Sequence, residues 1–157
     1  MKLSDFLVKE ALIPELQAVD RNGAIRELVE SLSRAGCINA GDVDSLVRSV
    51  IQRENQGSTG FGKGVAVPHV KNDRVKKMVG TIGRSSRGVD FAALDRAPVY
   101  TVVLLLSPPD DPDRHLEAME SIFRHLQRDN FRRFLRQSET VEEIVELIGE
   151  ADEMPAG

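Results

Sequence analysis

The chain has a single cysteine among its 157 residues, Cys37, so it forms no internal disulfide, and no Cys/His spacing around it suggests a zinc site. Cys37 follows Gly36 at an expected helix end, where a buried structural thiol is the simplest reading. Long apolar runs are missing. Nothing approaches the length that crosses a bilayer, and Asp5, Lys9 and Glu10 interrupt the stretch where a signal peptide would carry its apolar core. Positive charge is not in surplus either. The net charge is −4 with both signs interspersed, which argues against a nucleic-acid surface. The most basic segment, Arg124 to Arg136, alternates with Phe, Leu and Asp and reads as a solvated helix face. The expectation is a cytoplasmic protein with no membrane insertion and no nucleic-acid partner.

Motifs of several common chemistries are absent too. The glycine-rich stretch ends in no Gly-Lys-Ser/Thr, so it is not a P-loop. Gly60, Gly62 and Gly64 alternate singly and precede a strand, which excludes a Rossmann fingerprint. There is no Gly-x-Ser-x-Gly elbow. No His/Glu pair has metal-ligand spacing, and Asp110, Asp111 and Asp113 read as loop and cap. No metal and no cofactor is implied.

What is present fits one α/β domain, expected over residues 1–150 with a flexible tail at 151–157. Ser4 is a candidate cap for a short helix through Val8, and Ala11 to Ala18 reads as a strand interrupted by Pro14. Asp20 can cap a helix on which Ala24, Ile25, Leu28, Val29 and Leu32 recur at helical spacing, ended by Gly36. Asn39 can cap a second, carrying Val43, Leu46, Val47, Val50 and Ile51 and reaching Arg53. Val65 to Val67 and Met78 to Ile82 read as strands. Val99 to Leu106, β-branched and apolar on both faces, is the strongest, as in a sheet covered on both sides. Asp113 is read as the cap of a helix to Gln127, Asn130 to Arg136 as a short helix, and Thr140 with Glu143 as the capping box of the last.

One stretch concentrates chemistry: Arg53-Glu54-Asn55-Gln56-Gly57-Ser58-Thr59-Gly60-Phe61-Gly62-Lys63-Gly64-Val65-Ala66-Val67-Pro68-His69. Glycines let a backbone approach an anion, Ser58 and Thr59 offer hydroxyls, and His69 stands at a strand end. Neutral imidazole is a good nucleophile toward phosphorus, and its ordinary pKa leaves a neutral fraction at cellular pH. Alone, a strand-end histidine simply bonds a loop carbonyl; beside Gly57-Ser58-Thr59-Gly60 it reads as a phosphoryl carrier. His115, near a helix N-terminus and on the face of Met119, Ile122 and Leu126, fits either a partner of His69 or a core histidine. Arg53 offers a planar fork of donors, although a helix-terminal surface arginine is the commoner situation. Ser58 and Thr59 can equally bond local backbone, and Lys63 reads as an exposed loop lysine. His125, beside Arg124 and Gln127, is assigned to solvent. Phe61 is either an exposed docking aromatic or a core residue.

These residues resemble the fructose/mannitol-type enzyme IIA domain of the bacterial phosphoenolpyruvate-dependent sugar phosphotransferase system, most closely its nitrogen-regulatory branch. The carrying elements are Arg53-Glu54, Gly57-Ser58-Thr59-Gly60, Gly62-x-Gly64-x-Ala66-x-Pro68-His69, then Asp90-Phe91, Asp95, and the strand, proline loop and His115-Leu116 that follow. The resemblance covers nearly the whole chain. It implies a mixed or mostly parallel sheet flanked by helices on both faces, and phosphorylation of His69 by an HPr-type phosphocarrier. It also implies that His115 and Arg53 assist, with Ser58, Thr59, Gly60, Gly62 and Gly64 around the phosphoryl group. The acceptor would be an IIB-type domain or a regulated kinase, transporter or transcription factor. With no membrane segment or IIB-like domain in this sequence, a regulatory module is the first alternative and a degenerate, unphosphorylated domain the second. Val70 departs from the small glycine that many members carry after Pro-His, while Lys71 fits the basic residue often seen next.

Overall fold

The computed structural model describes residues 1–154. The chain runs through helices α1 (Arg21–Arg34) and α2 (Val43–Gln56), then strands β1 (Gly60–Gly62), β2 (Val65–Ala66), β3 (His69–Lys71), β4 (Val79–Val89) and β5 (Val99–Ser107). It ends with α3 (Pro112–Leu126), α4 (Asp129–Gln137) and α5 (Val141–Asp152). The expected mixed α/β architecture is observed, and the sheet is mixed rather than mostly parallel. β2 and β3 run parallel to β5 on one side of it, β4 pairs antiparallel on the other, and β1 pairs antiparallel with β2.

β5 is the spine because its residues alternate between two apolar layers. Val102, Leu104 and Leu106 face α1 and α2; Val103 and Leu105 face α3, α4 and α5. With both faces covered, its hydrophobic run is continuous. The expected strand delivering His69 is interrupted. Pro68 lacks an N–H, and the chain leaves β2 at Val67 to re-enter the ladder as β3, with His69 opposite Leu105.

Local signals at the helix ends hold. Asp20 accepts from the Gly23 amide at α1, Thr140 accepts from the Glu143 amide at α5, and Gly36 (φ 84°) closes α1 in left-handed backbone. Cys37, just beyond, is partly buried against this core. Four expectations are corrected. The α3 cap is Asp111, which accepts from the Arg114 amide; Asp113 lies inside the first turn. Asn39 precedes a 3-10 turn, Ala40–Asp42, and makes no side-chain cap. The N-terminal segment forms two 3-10 turns, Leu3–Asp5 and Lys9–Ala11, in place of the Ser4-capped helix. Beyond them, the expected strand over Ala11 to Ala18 is replaced by separate bridges along β4, including Ile13 with Gly83. Backbone bonds from Val8, Ile13 and Leu16 to the carbonyls of Gly80, Ile82 and Arg84 cover that edge, which would otherwise be open to other chains.

Residues 151 and 152, expected to begin a flexible tail, belong to α5. Ala151 is buried, and the Asp152 carboxylate accepts from the amides of Leu3 and Ser4. Residues 155–157 of that expected tail lie outside the described residues.

Gly83 is required by close approach. A Cβ there would lie 2.8 Å from Leu16 and 2.9 Å from Leu28, both fully buried. Gly83→Ala is therefore expected to destabilise the fold by about 1–3 kcal/mol, read as a lower midpoint in urea unfolding.

Candidate functional site

The site lies where β3 and the end of β5 run side by side. Leu105 lies opposite His69 and Ser107 opposite Lys71; the loop after Ser107 leads into α3, which returns His115 to the same place. The two imidazole rings stand 5.6 Å apart between centroids, tilted by 48°. Sequence positions 69 and 115 are thus one constellation.

The orientation of His69 follows from one contact. Its Nδ1 lies 2.7 Å from the Val67 carbonyl oxygen. A carbonyl only accepts, so Nδ1 carries the proton and donates it. The lone pair is then on Nε2, at the other edge of the ring. His69 is half-buried, and this burial pushes its pKa below the ordinary value; the Val67 carbonyl opposes the shift, Arg53 and Lys71 add to it and Glu54 works against it. Near neutral pH the ring is neutral and nucleophilic.

His115 is 8% exposed, and its Nδ1 lies 2.6 Å from the Ser107 hydroxyl. Burial first, then the charges of His69 and Lys71, lower its pKa to about 4. In the unphosphorylated protein it is therefore neutral near pH 7. Its amide already bonds the Asp111 carbonyl, so His115 acts through its ring and not through a free helix N–H.

The remaining candidates divide. Arg53, in the last turn of α2, donates from Nη1 to the Gly57 carbonyl at 3.1 Å, tying the helix end to the loop. The Thr59 amide and hydroxyl both bond Glu54, a carboxylate only 2% exposed. Ser58 Oγ accepts from the Gly60 amide and keeps its own proton to donate. Gly62 (φ 103°) and Gly64 (φ 76°) turn the β1–β2 hairpin around Lys63, and their nearest neighbours are Asp95 and Tyr100. The Thr59 carbonyl accepts from the Val67 amide, so this loop is fastened to the residue that orients His69.

Glu54 and Ser107 are the functional candidates that sequence reasoning passed over. Glu54 stood beside Arg53 in the motif, yet only contact shows it anchoring the loop; Ser107 falls just beyond the expected strand Val99 to Leu106, at the start of the proline loop that stops it. His125 corrects the solvent assignment. It is 4% exposed, with its ring 5.5 Å from Phe131 and its Nδ1 3.1 Å from Arg128. Its neighbour across the helix joint, Phe131, is what covers it. Phe61 is half-buried, 5.2 Å from Phe123, while Leu116 beside His115 is 58% exposed. Among the described residues no cluster of three or more His, Cys, Asp or Glu could hold a metal ion, and no helix is long and apolar enough to cross a membrane.

Comparison with known proteins shows the family and the fold. The family model described as "Phosphoenolpyruvate-dependent sugar phosphotransferase system, EIIA 2" matches residues 5–151. A nitrogen regulatory protein of Bradyrhizobium diazoefficiens is 31% identical over 94% of this chain and 95% of its own length. The fructose-specific EIIABC component of Bacillus subtilis is also 31% identical over 97% of this chain, which spans only 24% of that relative. In three dimensions, the crystal structure of the nitrogen regulatory protein IIA-Ntr from Neisseria meningitidis superposes with a TM-score of 0.82 at 26% identity, covering 93% of this chain and 98% of the other.

The lowered histidine pKa values make a pH prediction. For His115 the unfolded state binds its proton below about pH 6.5 and the folded state only near pH 4, so stability is full above pH 6.5 and falls as pH drops between those values. His115→Asn is expected to remove about 1–2 kcal/mol of that loss, after allowance for solvent screening. Urea unfolding at pH 7 and pH 4.5, wild type against variant, measures it.

Proposed function

Because the chain belongs to the EIIA 2 family of the phosphoenolpyruvate-dependent sugar phosphotransferase system, we propose that it carries a phosphoryl group on Nε2 of His69. The observation that carries this reading is the Val67 contact, which leaves Nε2 as the nucleophilic nitrogen beside a second neutral imidazole. An HPr-type carrier would present its phosphohistidine to His69. The donor P–N bond breaks with its electron pair returning to the donor ring, as the Nε2 lone pair forms the new N–P bond. The His69 ring then gains positive charge, and Nδ1–H donating to Val67 stabilises it. Such transfer depends on positioning and charge stabilisation rather than on a strong base.

The other residues take roles from their contacts. With the Ser107 hydroxyl donating to Nδ1, His115 presents Nε2–H to a phosphoryl oxygen. Arg53 and the free proton of Ser58 supply further donors. Thr59, Gly60, Gly62 and Gly64 shape and fasten the loop. Leu116 and Phe61 would form the apolar rim on which a carrier docks, and Val70 narrows the approach. The process is cytoplasmic, where such a carrier and phosphoenolpyruvate meet.

A second reading concerns the use of the phosphoryl group. The Bradyrhizobium relative, matched along nearly its whole length, is named a nitrogen regulatory protein. This favours a module whose affinity for a kinase, transporter or transcription factor depends on the state of His69. Transfer onward to an IIB-type acceptor is the sugar-branch option, and the presence of both His69 and His115 speaks against a degenerate domain.

Intact-mass spectrometry at neutral pH after incubation with enzyme I, an HPr-type carrier and phosphoenolpyruvate tests the reading. Wild type is expected to gain one acid-labile phosphoryl adduct and His69→Ala none. His115→Ala should gain it at least roughly tenfold more slowly. An adduct on His69→Ala, or wild-type rates in His115→Ala, would sink the assignment.

A further inference from the structure

The basic segment of α4 and the lysine of the β1–β2 turn meet in one pocket away from His69. It encloses about 290 Å³ and is lined by Lys63, Tyr100, Thr101, Arg132, Arg133 and Arg136 among others. The three arginines share one face of α4, at spacings that place them side by side. The single carboxylate in the lining, Asp129, is paired with Arg132. Four cations thus converge against one acid in a chain whose net charge is −4. Gathering like charge this way is unfavourable unless an anion relieves it.

Three side chains there are held ready and unused. The Arg136 guanidinium lies 3.6 Å from the centre of the Tyr100 ring, which fixes its plane while leaving its N–H edge free of hydrogen bonds to described residues. Lys63 is presented from left-handed backbone (φ 63°) between two glycines, with no partner among the described residues. Thr101 is 2% exposed and shares its β5 face with Val103 and Leu105, toward α4; its hydroxyl bonds to none of the described residues. The residue is buried, yet its hydroxyl is not a buried orphan: it opens on the pocket, where it can donate to a ligand.

We propose that this pocket is a second anion site which binds the phosphoryl group of a small phosphorylated metabolite. The Arg136 edge and the Lys63 ammonium neutralise its charge, and the Thr101 hydroxyl donates to one of its oxygens. The volume lies at the small end of ligand pockets, which favours a sugar phosphate over a larger nucleotide. Gly64 of the β1–β2 turn is shared with the His69 loop, but His69, His115, Arg53 and Ser58 do not line the pocket, so the proposal stands independently of phosphoryl transfer.

Amide NMR titration of the whole chain with glucose 6-phosphate, pyrophosphate and, as the uncharged control, glucose tests it. Both phosphates are expected to give saturable shifts at Lys63–Val65 and Tyr100–Thr101, and glucose none. Arg136→Gln and Lys63→Asn should each weaken binding about tenfold or more, and Thr101→Val several-fold. His69→Ala should leave these shifts unchanged. Asn tolerates the left-handed backbone at position 63, so that variant decides the matter if Arg136→Gln perturbs the fold. The proposal is overturned by shifts confined to the surroundings of His69, or by the absence of saturable shifts. It is equally overturned if a glutamate-rich peptide binds the pocket where both phosphates fail, which would assign it to an acidic protein partner.

Discussion

The Val67 carbonyl sets the chemistry of the site. By accepting from His69 Nδ1 it fixes the tautomer, aims Nε2 outward, and offers a stabilising dipole to the ring when Nε2 is bonded. That carbonyl is available because Pro68 breaks the strand: β2 ends before it and β3 begins after it, so Val67 lies between two short pairings with β5. The same residue uses its amide to hold the Thr59 carbonyl. Loop, His69 and central strand therefore share a single anchor, and a displacement of Val67 would disturb all three.

β5 does the rest of the positioning. One side of it registers β3 and thus His69; its last residue, Ser107, meets His115 across the turn into α3. This strand is buried in both apolar layers, and it brings two histidines 46 positions apart in sequence to a ring separation of 5.6 Å. Burial first, with Lys71 near both rings and Arg53 near His69, pushes both pKa values down, as the roles proposed for them require.

Features decided by neighbouring residues were legible in the sequence. Asp20, Gly36 and Thr140 act at helix ends through partners a few positions away, and β5 declared itself by its apolar continuity. Features decided by distant residues were not. The bridging of the N-terminal segment to β4 and the capture of the Asp152 carboxylate by Leu3 and Ser4 depend on chain reversals that no local pattern announces, and even the nearby Phe131 covers His125 only because the chain turns between α3 and α4. Asp111 and Asp113 are both plausible caps flanking a proline, and the backbone geometry selects Asp111. The motif around His69 was recognisable as a string, but which groups are free and which are engaged was not. Only the contacts show Thr59 bonded to Glu54 and the hairpin glycines turning Lys63 toward α4.

The most direct measurement is nitrogen-15 NMR of the histidine rings before and after phosphorylation by enzyme I and an HPr-type carrier. The expected spectrum shows His69 protonated at Nδ1 and then coupled to phosphorus at Nε2, with Nδ1–H retained. A resting tautomer protonated at Nε2, or phosphorus bonded to Nδ1, would contradict the role assigned to the Val67 carbonyl.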